Sequence, residues 1–194
     1  MAHSRLLACS LLAVLLAGAA AAQTPQPKRA PDVIFVPTTD AAVDAMLKLA
    51  NIKKTDVIYD LGCGDGRIVI AAAKNFGARG VGIDIDPKRI EEANAAAKKA
   101  GVENLVKFIE NDLFEADIKE ASVVTIFLLP QLNLKLKPKL MQDLKPGTRI
   151  VSNTFDMGDW KAEKEVAVGT ADGDQDYGLS KRVYLWTIPP RGAK

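Results

Sequence analysis

Residues 60–66 read DLGCGDG, and this stretch decides how the rest of the chain is interpreted. An apolar run precedes it, which predicts a buried strand, and the run RIVIAAAK that follows has helical composition. Gly62, Gly64 and Gly66 allow positive φ and let the backbone come close to a ligand that a Cβ would exclude. A strand, a glycine-rich turn and a helix together predict the nucleotide-binding turn of an open α/β sheet.

The spacing of the glycines indicates which kind of cofactor is bound. A dinucleotide site reads G-x-G-x-x-G, whereas this turn reads D-x-G-x-G-x-G and begins with Asp60. A carboxylate beside the turn suits a cationic ligand group better than a diphosphate. The pattern resembles motif I of the class I S-adenosylmethionine-dependent methyltransferases. The resemblance implies that Asp60 and the three glycines bind S-adenosyl-L-methionine.

Two further acids follow predicted strands. Asp84 ends the second strand, which is where the ribose diol of a nucleotide is bound in sheets of this kind. A third strand over residues 106–109 leads to Asp112 and Leu113. The resemblance implies that Asp112 bonds the adenine amino group, and Leu113 beside it is assigned to the same site. Either acid alone is also an ordinary turn residue, but their order and spacing after Asp60 favour a cofactor site.

The remaining pattern predicts one α/β domain over residues 32–190, with alternating strands and helices. Asp86 is expected to cap a helix that Pro87 begins. The other helices are expected at residues 41–50 and 130–144, and the later strands at 122–129, 148–153, 166–168 and 183–187. This order predicts a Rossmann-like, doubly wound and mainly parallel seven-stranded sheet with a reversed C-terminal hairpin strand.

The start of the chain has the pattern of a targeting signal. Arg5 precedes an Ala/Leu run, and the small residues at 20–22 suit a signal-peptide cleavage site. Residues 1–22 therefore predict a signal peptide and residues 23–31 a Pro-rich linker, so the chain is expected to be exported, periplasmic or secreted. The apolar run is about seventeen residues long, near the minimum for spanning a bilayer. Anchoring in the membrane by an uncleaved leader is therefore the alternative.

Composition limits the other classes of function. A net charge of +2 over 194 residues gives no electrostatic case for binding nucleic acid. The one histidine, His3, lies in the predicted leader, so no metal site and no histidine-based catalysis is expected. The sequence identifies no general base.

The resemblance extends beyond the glycine turn. The segments FVPT at residues 35–38 and YDLGCGDGRIV at residues 59–69 are similar to the family of the ATP synthase c-subunit lysine N-methyltransferase. The segments FLLPQLN at 127–133 and LKPGTRIVS at 144–152 more distantly resemble the non-SET histone lysine methyltransferases. Family membership implies that Thr38 lies near the methionine end of the cofactor. It also suggests a protein lysine amine as the methyl acceptor.

The acceptor side is predicted after the fourth and fifth strands. The sequence there lacks the Asn/Asp-Pro-Pro-aromatic pattern of enzymes that methylate planar amides, and it places Phe127 and Pro130 at the fourth strand end. Phe127 could wall a channel for an alkyl chain or could pack on the sheet. Phe155 and Trp160 could form the rim of the acceptor site or could also be packing residues.

The sequence therefore predicts an S-adenosylmethionine-dependent methyltransferase with an unidentified acceptor. The alternative from another class is a non-catalytic, exported binder of S-adenosylmethionine or a related nucleoside. A nicotinamide-dependent reductase is third, and the register of the glycines disfavours it.

Overall fold

The computed structural model describes residues 30–168 and 182–192. The predicted leader and all but the last two residues of the predicted linker lie outside these ranges. Within them the chain forms seven strands, β1 (Val57–Leu61), β2 (Arg79–Asp84), β3 (Val106–Glu110), β4 (Val123–Ile126), β5 (Arg149–Asn153), β6 (Lys164–Ala167) and β7 (Arg182–Thr187). It also forms four helices, α1 (Asp40–Leu49), α2 (Arg67–Phe76), α3 (Pro87–Ala100) and α4 (Pro130–Asp143).

The strands form one sheet in the order β3-β2-β1-β4-β5-β7-β6. The pairs from β3 to β5 are parallel, and β7 runs antiparallel between β5 and β6. The predicted fold class, a mainly parallel seven-stranded sheet with a reversed C-terminal strand, is confirmed. The strand order reverses direction at β1 and β4, and such a switch point opens a crevice at the carboxyl ends of the strands.

Local sequence sets the helix ends. Thr39 Oγ1 accepts a hydrogen bond from the backbone N–H of Ala42 at 3.3 Å, which makes Thr39 the N-cap of α1. Asp86 Oδ1 accepts from the N–H of Lys88 at 2.9 Å, with proline at the next position, as predicted for α3. Each cap satisfies an N–H group that the first helical turn leaves without a partner.

The fourth strand is shorter than predicted. Pairing ends at Ile126, and residues 127–129 leave the sheet before Pro130 begins α4. Leu129 has the extended conformation of an N-cap, which a residue before proline favours. The apolar character of Phe127 and Leu128 therefore reflects packing beside the crevice and not strand pairing, whereas Leu129 is exposed. Pro138 lies inside α4, which continues on both sides of it.

The core covers both faces of the sheet. On one face the first three helices pack fully buried side chains, including Met46 and Val69, over Ile58. On the other face α4 contributes Leu136 and Leu140, which belong to the same cluster as Trp186 and Ile118. Within the described ranges, no helix has the length and apolar character needed to cross a bilayer. The two covered faces leave the carboxyl edge of the sheet as the place for a ligand.

Candidate functional site

The glycine turn connects β1 to α2 at the carboxyl edge of the sheet. Gly62, Gly64 and Gly66 all have positive φ, at 82°, 52° and 77°. A Cβ at Gly66 would lie 2.5 Å from the ring of Phe108, so this glycine also lets α2 pack closely on its neighbours. Side chains other than hydrogen would strain the backbone at these positions, which explains the sequence pattern.

Asp60 lies near the end of β1 as a buried carboxyl group and lines the crevice that the turn borders. The residue is 2% exposed, and Thr125 Oγ1 donates a 2.7 Å hydrogen bond to Asp60 Oδ1. Burial raises the pKa of Asp60 to about 7, helped by the negative charges of Asp84 and Asp65 and opposed by the hydrogen bond from Thr125. A buried carboxyl group of this kind gains from a nearby cation.

Asp84 lies at the end of β2, next to the same turn. Its Oδ2 accepts from the N–H of Gly64 at 2.9 Å, and its Oδ1 accepts from the N–H of Asp86 at 3.0 Å. Burial raises the pKa of Asp84 overall, and the hydrogen bonds from the N–H groups of Asp86 and Gly64 only partly offset this effect. The carboxylate is therefore held in one orientation by two loops, and each oxygen keeps a further lone pair for a ligand hydroxyl.

Thr38 is tied to the turn through an arginine. Arg67 Nη1 donates to the carbonyl of Thr38 at 2.7 Å, while the same guanidinium forms a bidentate pair with Asp65. Burial would raise the pKa of Asp65, but the hydrogen bonds and charge of Arg67 lower it overall. This bidentate pair fixes the residues before α1 against the glycine turn.

The residues before α1 cover one side of the crevice. The ring of Phe35 lies against Gly64, where an added Cβ would collide with it. The guanidinium carbon of Arg89 lies 4.7 Å from the centre of the same ring. Residues 31–36 all line the cavity, including Pro31 from the predicted linker. The sequence alone did not predict residues 31–36 as part of the site, and its available signal was the apolar run VIFV at 33–36. Ile34 in this run is exposed in the structure.

Residues that follow β3 also line the crevice. Asn111 and Leu113 line the cavity. Asp112 is not among the lining residues, and its Oδ1 accepts from the N–H of Phe114 at 2.9 Å, which shapes the turn. The structure thus brings Leu113 to the crevice directly and places Asp112 in the backbone turn that carries it.

The predicted acceptor residues divide into two groups. Phe127 lines the cavity, and its ring stacks on that of Phe155 with centroids 6.4 Å apart and planes inclined by 24°. Pro130 is exposed at the start of α4 and is not a lining residue. Trp160 packs instead against Trp186, with centroids 6.0 Å apart, and its carbonyl accepts from the Trp186 indole.

The crevice has the chemistry of a nucleoside site and is open to solvent on one side. Two carboxyl groups, the buried Asp60 and the half-buried Asp84, line it at the ends of neighbouring strands and suit an ammonium group and a diol. Burial raises the pKa of the Cys63 thiol, so Cys63 is a small packing residue of the wall. The described residues contain no cluster of acidic, cysteine or histidine side chains that could hold a metal ion.

This fold and this site define a class I methyltransferase. Comparison with known proteins agrees. A family model described as the ANTKMT methyltransferase domain matches residues 60–164, more than half of the chain. A protein-lysine N-methyltransferase from Saccharolobus islandicus is 44% identical over 159 residues, which cover 81% of this chain and 95% of that protein.

Two further relatives differ in how much of their own length this chain covers. The human lysine N-methyltransferase of the ATP synthase c-subunit is 33% identical over 70% of this chain, but the chain spans only 57% of that protein. A solved RNA methyltransferase from Salinibacter ruber, in complex with S-adenosyl-L-homocysteine, has a TM-score of 0.73 at 53% identity. The match covers 82% of this chain and 97% of that one.

The chain belongs to the ANTKMT methyltransferase domain family. It is an S-adenosylmethionine-dependent methyltransferase, as the glycine register predicted, and the predictions of family, enzyme class and cofactor are confirmed. Family membership favours an enzyme over the non-catalytic binder and the nicotinamide-dependent reductase.

Proposed function

We propose that this methyltransferase transfers a methyl group to the side-chain amine of a protein lysine. The observation that carries the proposal is the Phe127–Phe155 pair, an apolar aromatic wall where the cavity meets the end of β4. The alkyl stem of a lysine can pack along such a wall, because it is apolar over four carbons. The relatives named above as lysine N-methyltransferases support the same acceptor.

The cofactor side is assigned from the residues at the crevice. We place the ribose diol at Asp84 and the cationic methionine end near Asp60 and Thr38. Gly62, the lining residue of the glycine turn, is placed against the body of the cofactor, and Leu113, carried by the turn that contains Asp112, is placed beside the adenine. When bound, S-adenosylmethionine supplies an electrophilic methyl group attached to a sulfonium.

The protein contributes mainly by orientation and desolvation. An apolar wall disfavours the charged ammonium and therefore lowers the pKa of a lysine amine that enters it, which increases the neutral, nucleophilic form. The wall also excludes water and holds the amine in line with the methyl group, within about 3–3.5 Å. No general base is needed in this scheme, because an amine whose pKa is lowered at the wall releases its proton to solvent.

An RNA acceptor is the second candidate, because the Salinibacter ruber relative carries that description. Charge does not favour it. The alternating lysines of α4 resemble a basic stripe, but Lys137 pairs with Asp159 at 2.6 Å and Lys139 with Asp143 at 2.6 Å. Lys135 lies over the ring of Phe114. Phosphate binding normally requires uncompensated cations, so this helix offers a weak RNA surface.

One experiment separates the two acceptors. The protein is incubated with methyl-labelled S-adenosylmethionine and with protein and total RNA extracted from its host. We expect label that survives ribonuclease, is lost on proteolysis to small peptides, and appears as methylated lysine in acid hydrolysates. Asp84→Ala serves as the control for dependence on the cofactor site. Label that ribonuclease releases as methylated nucleotides would favour the RNA acceptor instead.

We also propose that the protein is exported, with residues 1–22 removed as a signal peptide. The charged Arg5, the apolar run and the small residues at 20–22 support this. N-terminal sequencing of protein from the native host is expected to begin near Gln23. A soluble protein that retains Met1 would contradict export, and a membrane-bound one would support the uncleaved anchor.

A further inference from the structure

A buried asparagine connects α4 to the loop that follows β5. Asn133 lies in the first turn of α4 and is fully buried. Its Nδ2 donates to the carbonyls of Asp156 at 3.1 Å and Phe155 at 3.3 Å, and it lies 3.4 Å from Ser152 Oγ. Ser152 is also fully buried, and its Oγ donates to the carbonyl of Phe155 at 2.6 Å. Two side chains thus hold two consecutive carbonyls of one loop.

The donors of Asn133 explain why an amide is buried at this position. Its Nδ2 faces three oxygen atoms, which fixes the orientation of the amide. Its Oδ1 is buried and has no hydrogen-bond partner among the described residues. A buried acceptor without a partner is unfavourable, and an apolar residue would avoid that cost. The side chain is therefore best explained by what its Nδ2 holds in place.

The loop that Asn133 holds has an unusual backbone. Thr154 has a φ of 70°, a conformation that a β-branched residue rarely adopts. The N–H of Phe155 donates to the carbonyl of Asn153 at 2.8 Å, which closes a three-residue turn. Strain of this kind persists where surrounding contacts impose it, and it is concentrated at functional sites. The turn presents Phe155, whose ring stacks on the cavity residue Phe127.

We propose that Asn133 is a positioning residue for methyl transfer, which fixes the Phe155 turn and thereby the aromatic wall beside the acceptor. Asn133 acts through this turn and does not touch cofactor or acceptor. The role in transfer rests on the proposed lysine function, because the wall is the assigned acceptor surface. Holding the turn is a property of the fold that can be measured without any acceptor.

The test uses Asn133→Leu, which keeps the side-chain size and removes both donors. We expect the variant to fold and to bind S-adenosyl-L-homocysteine within about twofold of the wild type, since Asn133 is not a cavity-lining residue. Amide hydrogen exchange over residues 153–158 should accelerate about tenfold or more, because the carbonyl restraints are lost. With poly-L-lysine as the probe, kcat/KM for the acceptor should fall about tenfold, with KM for S-adenosylmethionine unchanged.

Two other variants control the experiment. Asn94→Leu changes an exposed asparagine on α3 and should leave all four measurements unchanged. Ser152→Ala removes only the hydroxyl that bonds the Phe155 carbonyl, so it should shift exchange and transfer in the same direction by a smaller factor. If Asn133→Leu does not fold, the exchange and transfer rates of Ser152→Ala test the positioning role instead.

The outcomes distinguish the two proposals. Unchanged exchange over residues 153–158 in folded Asn133→Leu and Ser152→Ala would overturn the positioning role. A parallel loss of S-adenosyl-L-homocysteine binding would also overturn it, since the effect would then lie in the cofactor site. If the wild type methylates no lysine probe, the lysine proposal fails. The exchange and binding measurements then still decide whether Asn133 holds the turn.

Discussion

Asp60 and Thr125 lie opposite each other on the neighbouring parallel strands β1 and β4, and Thr125 Oγ1 donates a 2.7 Å hydrogen bond to Asp60 Oδ1. The pair joins the two strands at which the sheet changes direction. Burial nonetheless raises the pKa of Asp60 to about 7, so one hydroxyl does not compensate for the water that the carboxylate has lost. Asp60 therefore changes charge near neutral pH in the protein without cofactor.

The first prediction concerns stability without cofactor. The pKa of Asp60 is about 7 in the folded protein and 3.8 in the reference state, so the folded state binds more protons between these values. The free energy of unfolding should therefore fall as pH rises from about 4 to about 7, by an amount on the order of 2–4 kcal/mol from this residue. Urea unfolding at several pH values measures it, with Asp60→Asn as the reference. A difference between the two proteins that does not vary with pH would contradict the prediction.

The second prediction concerns the pH dependence of cofactor binding. A cationic ligand group beside Asp60 favours its charged form and lowers its pKa in the complex. Binding of S-adenosyl-L-homocysteine should therefore release a proton below about pH 7 and become tighter as the pH rises toward that value. Calorimetry in buffers of different ionisation enthalpy detects the proton. Asp60→Asn should bind more weakly and without proton release, and equal release by both proteins would assign the proton to another group.

The third prediction concerns Asp84. Asp84→Ala removes the assigned acceptor of the ribose diol and also the bonds that orient Gly64 and Asp86. Affinity for S-adenosyl-L-homocysteine should fall by about 1–3 kcal/mol, the range for hydrogen bonds to a charged group. Asp117→Ala is the matched control, because Asp117 also accepts a backbone hydrogen bond but is exposed. Equal losses of affinity in both variants would show that Asp84 does not bind the cofactor.

Local patterns indicated which residues meet at the carboxyl edge of the sheet, where Asp60, Gly62 and Asp84 line the crevice. The glycines and Asp84 end a strand or directly follow one, so the local sequence alone predicts that they lie at the carboxyl edge of the sheet. Caps such as Asp86 are equally local, since their bonds reach only two or three residues ahead. The parallel pairing of β1 to β5 follows from the alternation of strands and helices, and the antiparallel pairing of β6 with β7 follows from the predicted hairpin.

Contacts between distant segments could not be predicted in the same way. Phe35 was part of a recognised motif, but nothing in the sequence places its ring on Gly64, 29 residues later. Asn133 lies 22 residues from the Phe155 carbonyl that it bonds, and an asparagine in an amphipathic helix gives no sign of being buried. The end of β4 was placed too late because residues 127–129 are as apolar as the strand itself.

The fourth prediction concerns Phe35 as a cover of the cofactor cavity. Phe35→Ala removes a ring that lies between Gly64 and the guanidinium of Arg89. Affinity for S-adenosyl-L-homocysteine should fall by about 1–2 kcal/mol, because apolar surface that shields the ligand is lost. Leu134→Ala is the control, since Leu134 is 48% exposed against 43% for Phe35 and does not line the cavity. Unchanged affinity in Phe35→Ala would show that the bound cofactor does not reach this ring.

The last prediction concerns Phe127 and separates the acceptor side from the cofactor side. Phe127 lines the cavity and stacks on Phe155, so its ring can orient an acceptor without being needed to hold the cofactor. Phe127→Ala should leave cofactor affinity within about threefold and lower methyl transfer about tenfold or more. This loss corresponds to about 1.4 kcal/mol of transition-state stabilisation, caused by an acceptor that is no longer aligned with the methyl group.

Calorimetry and single-turnover transfer from labelled S-adenosylmethionine measure the two effects of Phe127→Ala separately. Phe76→Ala is the control, because Phe76 is also half-buried but ends α2, outside the cavity lining. Phe76→Ala should lower stability with no selective effect on transfer. If folded Phe127→Ala transfers methyl groups at the wild-type rate, the aromatic wall is packing and the acceptor enters elsewhere. If both binding and transfer fall together, Phe127 belongs to the cofactor site, and the acceptor wall must be sought at the Phe155 turn alone.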